Sequence, residues 1–309
     1  MRTVVTGGAG FIGSSLVEAL LEEEYEVIVI DDLSTGKSEN IENFEERKDF
    51  EFIRGSITDL DLLKKLFKDT DCIFHQAAIP SVPRSVENPG VTNEVNVNGT
   101  LNVLIAARDC DVNKVIYASS SSVYGDTSTL PTKETTELNP KSPYAVSKLA
   151  GEYYCSVFSE VYGLKTVCLR YFNVYGPKQD PHSDYAAVIP RFITRMLSNQ
   201  PPLIFGDGSQ TRDFAFVKDI AHANILAMEE NVEGRFNISC GDRISIVELA
   251  TTIMKLIGVQ VDPVYDKPRP EDIKDSLADI SLAQKKLSYE PEFTLTEGLE
   301  ETIRWFQKD

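Results

Sequence analysis

A tyrosine and a lysine four residues apart could carry out acid–base chemistry. Tyr144 and Lys148 lie in the segment SPYAVSKLAGEYY, whose pattern predicts a helix, so both side chains share one helix face. An ammonium beside a phenol favours the phenolate, and a tyrosine that acts as a base near pH 7 needs its pKa lowered by about 3, or roughly 4 kcal/mol. Because such pairs are common on helices, this one gains meaning only from the motifs around it.

A run of hydroxyl groups lies upstream, at the end of an apolar strand. The strand KVIYAS continues into SSSSVYG, and open α/β sheets bind ligands at the carboxyl ends of their strands. We therefore predict that Ser120 orients the reacting oxygen of a substrate and shares its proton, with Ser122 facing the same substrate. The alternative is an ordinary polar loop, and this alternative is stronger for Ser119 and Ser121 than for Ser120.

Three glycines at three-residue intervals occur near the start of the chain. Gly7, Gly10 and Gly13 in GGAGFIG stand between the strand RTVVT and the helical segment SSLVEALLEEE. In that context the first glycines permit a tight turn whose backbone N–H groups approach a pyrophosphate, and Gly13 lets the helix lie against the strand. The whole unit predicts a dinucleotide site, and a plain glycine turn is the alternative.

The second strand, YEVIVID, ends in two carboxylates that bear on the choice of dinucleotide. Asp31 and Asp32 can accept hydrogen bonds from the hydroxyls of an adenine ribose, and they would repel a 2′-phosphate. NAD is therefore favoured over NADP. Two acids that cap a loop are the alternative, mainly for Asp32, and the nearby Lys37 leaves NADP open.

Strands and helices alternate through the first half of the chain and would bring these motifs to one edge of a sheet. Apolar runs at 50–53, 71–74, 114–118 and 165–169 are separated by helical patterns such as DLDLLKKLFKD and VNVNGTLNVLIAARD. This alternation predicts an α/β fold with a doubly wound, mostly parallel sheet of the Rossmann type.

Proline and glycine become frequent beyond about residue 172, and the strands become short. This change predicts a smaller C-terminal domain, partly interleaved with the first because the strand-like VEGRFNIS returns to the large sheet. We expect an NAD-binding domain at 1–172, to which segments of about 212–240 return, and a mainly substrate-binding domain at 173–309.

Composition limits the partners and the compartment. With 42% apolar residues the 309-residue chain can bury a full core, and its net charge of −17 argues against nucleic acid or an anionic membrane as partner. No run approaches the ~20 apolar residues of a membrane span, and the first strand begins almost at Met1, so we expect a cytoplasmic protein. The five cysteines and three histidines lack the spacing of a disulfide framework or a metal site.

The motifs together resemble one enzyme family. With HQAAIPSVPRS, NEVNVNGT, LRYFNVYGP, GDGSQTRDF and RPEDI, they closely resemble the extended short-chain dehydrogenase/reductase family over essentially all 309 residues. Within it the chain is most similar to the UDP-glucose and UDP-N-acetylglucosamine 4-epimerases. The resemblance implies that Tyr144 removes the O4 proton of a UDP-sugar as hydride passes from C4 to NAD. The 4-keto sugar then turns over and takes the hydride back on its other face, so that no cofactor is consumed.

The same resemblance implies a set of site residues. Those implied to contact NAD are Gly7, Gly10, Phe11, Ile12, Gly13, Asp31, Asp32, Leu33, Ser34, Thr35, Gly36, Ser56, Ile57, Gln76, Ala77, Ala78, Pro80, Asn96, Tyr144, Lys148 and Phe172. Those implied to surround the UDP-sugar are Ser120, Ser122, Tyr144, Asn173, Val188, Leu203, Phe205, Arg212, Arg269, Asp272 and Ser276. Charge also supports the two arginines, because a diphosphate bound to so acidic a protein needs fixed guanidinium partners; a solvated surface arginine is the alternative.

Two positions depart from the family pattern. Ser56 stands where members of the family often have an aspartate that binds adenine, which weakens or reroutes that contact. Pro80 stands where many epimerases have a lysine near the nicotinamide phosphates, which leaves Pro80 without the charged contact of the family.

Residues near the sugar bear on the reaction. Related dehydratases and decarboxylases carry Asp-Glu or Glu just before the equivalent of Val123, where this chain has Ser121 and Ser122, so dehydration is disfavoured. Ser276 stands where a bulky tyrosine is associated with restriction to plain hexoses, and QDPHSDYAAVIPRF resembles the subgroup that handles acetamido sugars. We therefore expect UDP-N-acetylglucosamine to be accepted as well as UDP-glucose.

The sequence leaves two alternative functions open and also implies an oligomeric state. A nucleotide-sugar reductase that consumes reduced cofactor is the enzymatic alternative, and a non-catalytic NAD-binding regulator is the alternative of another class, since a fold alone does not prove activity. The helical segments 93–109 and 144–162 resemble the pair through which members of the family dimerise, which implies a homodimer.

Overall fold

The computed structural model of the protein describes residues 1–181, 187–268 and 273–308. The first six strands are β1 (Arg2–Thr6), β2 (Glu26–Asp31), β3 (Phe50–Arg54), β4 (Cys72–His75), β5 (Lys114–Ser120) and β6 (Lys165–Tyr171). The helices among them are α1 (Phe11–Glu22), α2 (Leu60–Leu66), α3 (Val82–Glu87), α4 (Pro89–Asn93), α5 (Gly99–Asp109) and α6 (Pro143–Tyr162). A π-helical turn at Glu94–Asn98 joins α4 to α5, and short 3-10 turns occupy Ser38–Asn40, Glu42–Phe44 and Ser121–Tyr124.

Short strands and longer helices follow β6. The strands are β7 (Val174–Tyr175), β8 (Leu203–Phe205), β9 (Thr211–Arg212), β10 (Ala215–Phe216), β11 (Gly234–Ile238), β12 (Ile244–Ser245) and β13 (Val264–Asp266). The helices are α7 (Val188–Leu197), α8 (Val217–Glu229), α9 (Ile246–Ile257), α10 (Ser281–Leu287) and α11 (Leu295–Phe306). Three small two-stranded sheets pair β7 with β10, β8 with β13, and β9 with β12.

One seven-stranded parallel sheet dominates the fold, in the order β11-β6-β5-β4-β1-β2-β3. Its strands are apolar on both faces, as VIVI in β2 illustrates, because helices cover both sides of the sheet. The order reverses between β1 and β4, so the loops that leave these strands open a crevice at the carboxyl edge. The predicted doubly wound α/β fold is confirmed.

Two layers of helices sandwich this sheet. Leu16 of α1 and Ile220 of α8 are buried in the core on one face, and Val103 of α5 and Phe158 of α6 are buried in the core on the other. A third core lies among α7, α9 and α11. Packing of helices on both faces thus holds the ends of the strands in place, which a site at the carboxyl edge of the sheet requires.

The chain returns to the large sheet after leaving it. Strand β11 pairs with β6 in parallel, and α8 packs against α1, although β7 to β10 come earlier in the chain. The division into domains at residue 172 stays a prediction. Within the described ranges, no helix has both the length and the apolar composition that are needed to span a membrane.

Local sequence sets where α6 begins. The hydroxyl of Ser142 accepts the N–H of Ala145 at 3.1 Å, and Pro143 occupies the first helical position. The N–H of Tyr144 donates to the hydroxyl of Ser85 in α3 at 3.1 Å. Tyr144 therefore lies in the first turn of α6, and its backbone N–H is bonded to α3.

Candidate active site

The glycine turn after β1 meets the loop after β4 where the strand order reverses. Gly7 has a φ of 72°, and a Cβ on it would lie 2.6 Å from backbone atoms of Ala77. A Cβ on Gly13 would lie 2.1 Å from the carbonyl oxygen of Gly7, so a larger residue at either position would force the turn apart. Helix α1 begins directly after Gly10 without a side-chain cap, which leaves backbone N–H groups for a pyrophosphate. The turn therefore fits a dinucleotide.

Asp31 ends β2 and is 8% exposed. Its carboxylate accepts the N–H groups of Ala9 at 3.0 Å and of Leu33 at 2.8 Å. Burial raises the pKa of Asp31, and the two N–H groups oppose that effect. The carboxylate thus holds the glycine turn against β2 and keeps further lone pairs for ribose hydroxyls. Asp32 is exposed and accepts the N–H of Ser34 at 2.8 Å, as an acid that caps a loop does.

The other residues expected at the cofactor lie at the same edge of the sheet. The amide of Gln76 donates to the hydroxyl of Tyr171 and to the side-chain oxygen of Asn224, each at 3.1 Å, which ties the loop after β4 to β6 and α8. Phe11 and Ile12 open α1, Ser34, Thr35 and Gly36 follow β2, Ser56 and Ile57 follow β3, Ala78 and Pro80 follow β4, and Phe172 follows β6.

Asn96 lies in the π-helical turn and bridges the cofactor loop to α6. Its side-chain oxygen accepts the N–H of Ile79 at 2.8 Å, and its amide donates to the hydroxyl of Ser147 at 3.0 Å. That hydroxyl in turn donates to the carbonyl of Tyr144 at 2.7 Å. Single π-helical turns often occur at functional sites because they displace one side chain from the regular helix.

Ser120, Tyr144 and Lys148 come together at the end of β5. Ser120 is the last residue of the strand, and its hydroxyl lies near enough to the phenol of Tyr144 to lower the pKa of that phenol. The ammonium of Lys148 donates to the carbonyl of Ala118 at 2.7 Å and lies 5.9 Å from the centre of the Tyr144 ring. Ser122 follows in the 3-10 turn, and its hydroxyl oxygen is buried without a hydrogen-bond partner among the described residues. The group can therefore bind and orient a substrate hydroxyl and exchange its proton.

Burial works against the charged forms of both titrating groups. It raises the pKa of Tyr144 above 10.0, and the neighbouring hydroxyl of Ser120 offsets only part of that rise. It also lowers the pKa of Lys148 from 10.5 to about 8, so the ammonium stays charged at neutral pH at a cost to folding. In the protein alone, Lys148 therefore does not lower the pKa of Tyr144 enough to make it a base. The positive charge of an oxidised nicotinamide would be needed to lower that pKa further.

Replacing Lys148 with methionine is expected to stabilise the apoprotein against unfolding near neutral pH. Below pH 8 the lysine is protonated in the folded and the unfolded chain and bears the full cost of burial. Between about pH 8 and 10.5 the folded wild type loses this proton first and gains stability, about 3 kcal/mol in all at 1.36 kcal/mol per pKa unit. The lost hydrogen bond to Ala118 offsets about 1 kcal/mol of the advantage of the variant.

Urea unfolding of both apoproteins at pH 7.5 and pH 10 measures this effect. The stability difference in favour of Lys148→Met should shrink as the pH rises. A difference that does not change with pH would contradict the burial cost assigned to the ammonium.

A cleft of about 280 Å³ lies beside the end of the sheet. Five residues expected around the UDP-sugar line it, namely Asn173, Val188, Leu203, Phe205 and Arg212. Val188 is the first residue of α7, whose N-cap Ala187 provides no side-chain hydrogen bond, so backbone N–H groups face the cleft. Arg212 lies in β9 rather than in a loop, and its guanidinium donates to the carbonyl of Thr211 at 2.8 Å. The cleft thus combines apolar walls with groups that suit an anion.

The structure adds two polar residues that sequence reasoning missed. Arg191 lies one helical turn after Val188 in α7 and lines the same cleft, and its guanidinium lies 5.5 Å from the centre of the Phe205 ring. Gln210 lines the cleft as well and donates to the carbonyl of Phe205 at 2.8 Å. The three-residue spacing of Val188 and Arg191 in VIPRF was the signal that could have identified the arginine.

Ser276 is held beside Asn173. Its hydroxyl lies 3.5 Å from the amide of Asn173, and its N–H donates to the carbonyl of Thr211 at 3.1 Å. Asn173 itself has a φ of 25° and donates to the carbonyl of Asp213 at 2.8 Å, which keeps a strained backbone in place. Two further residues expected at the substrate, Arg269 and Asp272, lie outside the described residues.

A glycine turn at the switch point of a parallel sheet, with serine, tyrosine and lysine grouped at the end of β5, defines an NAD-dependent enzyme of the extended short-chain dehydrogenase/reductase type. Residues 3–239 match the NAD dependent epimerase/dehydratase family. The chain belongs to this family, and its cofactor is NAD.

Relatives along the full chain narrow this class to the UDP-sugar 4-epimerases. The UDP-glucose 4-epimerase of Mycolicibacterium smegmatis is 42% identical over 311 residues, covering 99% of each chain. The UDP-N-acetylglucosamine 4-epimerase of Methanobrevibacter ruminantium, solved with UDP-N-acetylmuramic acid, is 45% identical with a TM-score of 0.96, covering 99% of this chain and 98% of that one. The UDP-glucose 4-epimerase of Thermus thermophilus, solved with NAD, is 38% identical with a TM-score of 0.89, covering 99% of each chain.

Proposed function

We propose that the protein interconverts UDP-glucose with UDP-galactose and UDP-N-acetylglucosamine with UDP-N-acetylgalactosamine, using NAD that stays bound between turnovers. The observation that carries the proposal is the grouping of Ser120, Tyr144 and Lys148 at the end of β5, at the same edge of the sheet as a cleft suited to a nucleoside diphosphate. The full-length similarity to 4-epimerases supports the same reaction.

The roles of the protein groups follow from their positions. Tyr144 takes the proton of the substrate O4 during oxidation and gives it back during reduction, while Ser120 donates a hydrogen bond that holds O4 at the phenol. Lys148 keeps a positive charge near the phenol ring and would act together with the charge of an oxidised nicotinamide to favour the deprotonated form of Tyr144. NAD, when bound on the glycine turn, supplies the hydride acceptor and donor.

Residues for the competing reactions are lacking at the corresponding positions. Loss of water from the sugar needs a separate carboxyl acid or base, and positions 121 and 122 carry serines. A reductase would consume reduced cofactor stoichiometrically, and a regulator would have no use for the grouped Ser120, Tyr144 and Lys148. Epimerisation uses these three residues, needs no further acid or base, and returns the hydride to the sugar so that no reduced cofactor is consumed.

The substrate range rests on the size of residue 276. Replacing Ser276 with tyrosine is expected to lower kcat/KM for UDP-N-acetylglucosamine by roughly 100-fold and to change that for UDP-glucose by less than about threefold. The added ring would fill space beside Asn173, where Ser276 now lies 3.5 Å from the amide. Steady-state kinetics with both sugars checks this, with Ser276→Ala as the control that retains both activities. Equal losses for both sugars would contradict a selective role for this position.

We also propose a homodimer formed through α5 and α6. Val146, Tyr153, Val157 and Val161 lie at helical intervals on α6 and are each between 48% and 64% exposed, which forms an apolar stripe on one face. Burial of the stripe against the same helices of a second copy would remove it from water. Sedimentation velocity should give twice the monomer mass for the wild type and the monomer mass for Val157→Glu; a monomeric wild type would refute the dimer.

The reaction itself is tested without added cofactor. Purified protein is incubated with UDP-glucose and separately with UDP-N-acetylglucosamine, and each mixture is analysed by chromatography that separates 4-epimers. Appearance of both galacto-epimers without net formation of NADH is expected. Inertness toward both sugars, even with NAD added, would exclude the proposed substrates. Stoichiometric consumption of NADH with a 4-keto sugar would instead favour the reductase.

A further inference from the structure

A buried carboxylate connects the helix of Tyr144 to the strand of Ser120. Glu152 lies eight residues after Tyr144 and four after Lys148, on the same face of α6, and is fully buried. One carboxylate oxygen accepts the hydroxyl of Ser119, the residue directly before Ser120. Together with the bond from Lys148 to the carbonyl of Ala118, this gives α6 two attachments to the last three residues of β5.

Two arginines compensate the charge of Glu152. Arg170 of β6, itself 1% exposed, donates through Nε and Nη2 to the two carboxylate oxygens at 2.8 and 2.7 Å. Arg235 of β11 lies 3.1 Å from Oε2. Two parallel hydrogen bonds of this kind fix the distance between the guanidinium and the carboxylate and also the plane of the carboxylate. Glu152 is therefore held by β6 as well as by β5.

The same network extends toward the sugar side of the site. Arg170 donates to the hydroxyl of Tyr124 at 2.7 Å, and that hydroxyl donates to the side-chain oxygen of Asn237 at 2.6 Å. The amide of Asn237 donates to the carbonyl of Thr132 at 2.9 Å and to that of Asp279 at 3.2 Å. Asp279 lies three residues after Ser276, so a continuous chain of buried and part-buried hydrogen bonds runs from α6 to the segment that carries Ser276.

Stability alone is a weak reason for such a network. Removing a carboxylate and a guanidinium from water costs several kcal/mol, and apolar side chains of similar volume often stabilise a fold equally well. Geometry is a stronger reason. A side-chain tip about 6 Å from a helix axis moves by about 1 Å for each 10° of rotation, and a displacement of 1 Å can lower a catalytic rate by roughly 100-fold.

We propose that Glu152 is a positioning residue that sets the rotation of α6 through Ser119 and thereby holds the phenol of Tyr144 against the hydroxyl of Ser120. The inference rests on the proposed function only for its kinetic readout. Glu152 does not touch the substrate; it acts through the helix that carries Tyr144 and Lys148.

Removal of the Ser119 hydroxyl tests this role while the ion pair stays intact. For Ser119→Ala we expect kcat for 4-epimerisation to fall roughly tenfold, with KM for the UDP-sugar unchanged within about twofold, because the nucleotide cleft lies elsewhere. Ser119→Thr, which keeps the hydroxyl, should restore most of the rate.

Thr166→Val provides the matched control. Thr166 is equally buried and donates at 3.0 Å to the carbonyl of Cys155, three residues after Glu152, so it attaches the C-terminal half of the same helix to β6. Like Ser119→Ala, this variant loses one buried hydroxyl that bonds the large sheet to α6. It should keep kcat within about twofold of wild type. Equal losses of kcat in Ser119→Ala and Thr166→Val would reduce the network to general structural support and overturn the proposal.

A second readout does not depend on turnover. The ring-carbon NMR signal of Tyr144, labelled at Cζ and assigned by its absence in Tyr144→Phe, reports the titration of the phenol in the protein with NAD bound. Ser120 lowers the pKa of Tyr144, so displacement of the phenol from the hydroxyl of Ser120 should raise that pKa in Ser119→Ala but not in Thr166→Val. An unchanged titration in Ser119→Ala would overturn the proposal even if the protein turned over no UDP-sugar, which separates its failure from that of the proposed reaction.

Discussion

Tyr144→Phe is expected to lower kcat by about 1,000-fold, within the range that general acid–base groups contribute, while NAD remains bound. The substitution removes the one hydroxyl that can take the substrate proton and keeps the ring that packs beside Lys148. Since Ser120 and Lys148 stay in place, the remaining rate should reflect orientation of the sugar alone. The measurement is the initial rate of formation of the 4-epimer at saturating UDP-glucose.

Two further observations make the result specific. The NAD content of the purified variant should equal that of the wild type, because the substitution removes one hydroxyl among many expected NAD contacts and leaves the glycine turn unchanged. Tyr162→Phe, at the far end of the same helix, should retain full activity. Retention of more than about a tenth of the wild-type kcat by Tyr144→Phe would remove this residue from the role of base.

Arg212→Met is expected to lower kcat/KM by roughly 100-fold, mostly through KM. A charge-assisted hydrogen bond to a diphosphate contributes about 1.5–3 kcal/mol, and in so acidic a chain few other groups replace it. Arg212→Lys should be intermediate, since lysine keeps the charge and lacks the planar fork. The same order should appear in the Kd for UDP measured by calorimetry, which requires no turnover.

An arginine far from the cleft serves as the control for this series. Arg304 is exposed on α11, and Arg304→Met should leave KM unchanged. If Arg212→Met binds UDP as tightly as the wild type, the diphosphate does not lie at Arg212, and the assignment of the cleft fails with it. If UDP binding weakens while KM for the sugar nucleotide does not, the nucleotide alone and the substrate bind differently.

Features that depend on local sequence were predictable. The glycine spacing of Gly7, Gly10 and Gly13 between a strand and a helix led directly to the turn at the switch point. The spacing of Tyr144 and Lys148 and the position of Ser120 at the end of an apolar run likewise placed all three residues at one strand end. In each case neighbours in sequence determine the geometry, so periodicity and turn chemistry are sufficient.

Features that depend on distant contacts were not predictable. The sequence assigned Ser119 no role of its own, yet it donates to Glu152 in α6, 33 residues later. Arg191 was missed because only its spacing from Val188 pointed to the cleft, which residues of α7, β8 and β9 form together. The effect of burial on Tyr144 and Lys148 also emerges only when the helices close over the sheet, since desolvation is a property of the packed protein.

The position of β11 at the edge of the large sheet bears on how the chain folds during synthesis. Strand β6 ends at Tyr171, and its outer partner β11 begins only at Gly234. A ribosome adding about 5–20 residues per second needs several seconds to make the intervening segment, and during that time the outer edge of β6 has no partner strand. An unpaired edge of an apolar sheet invites pairing with other chains. The nascent enzyme therefore passes through an interval in which chaperone binding and aggregation compete for β6.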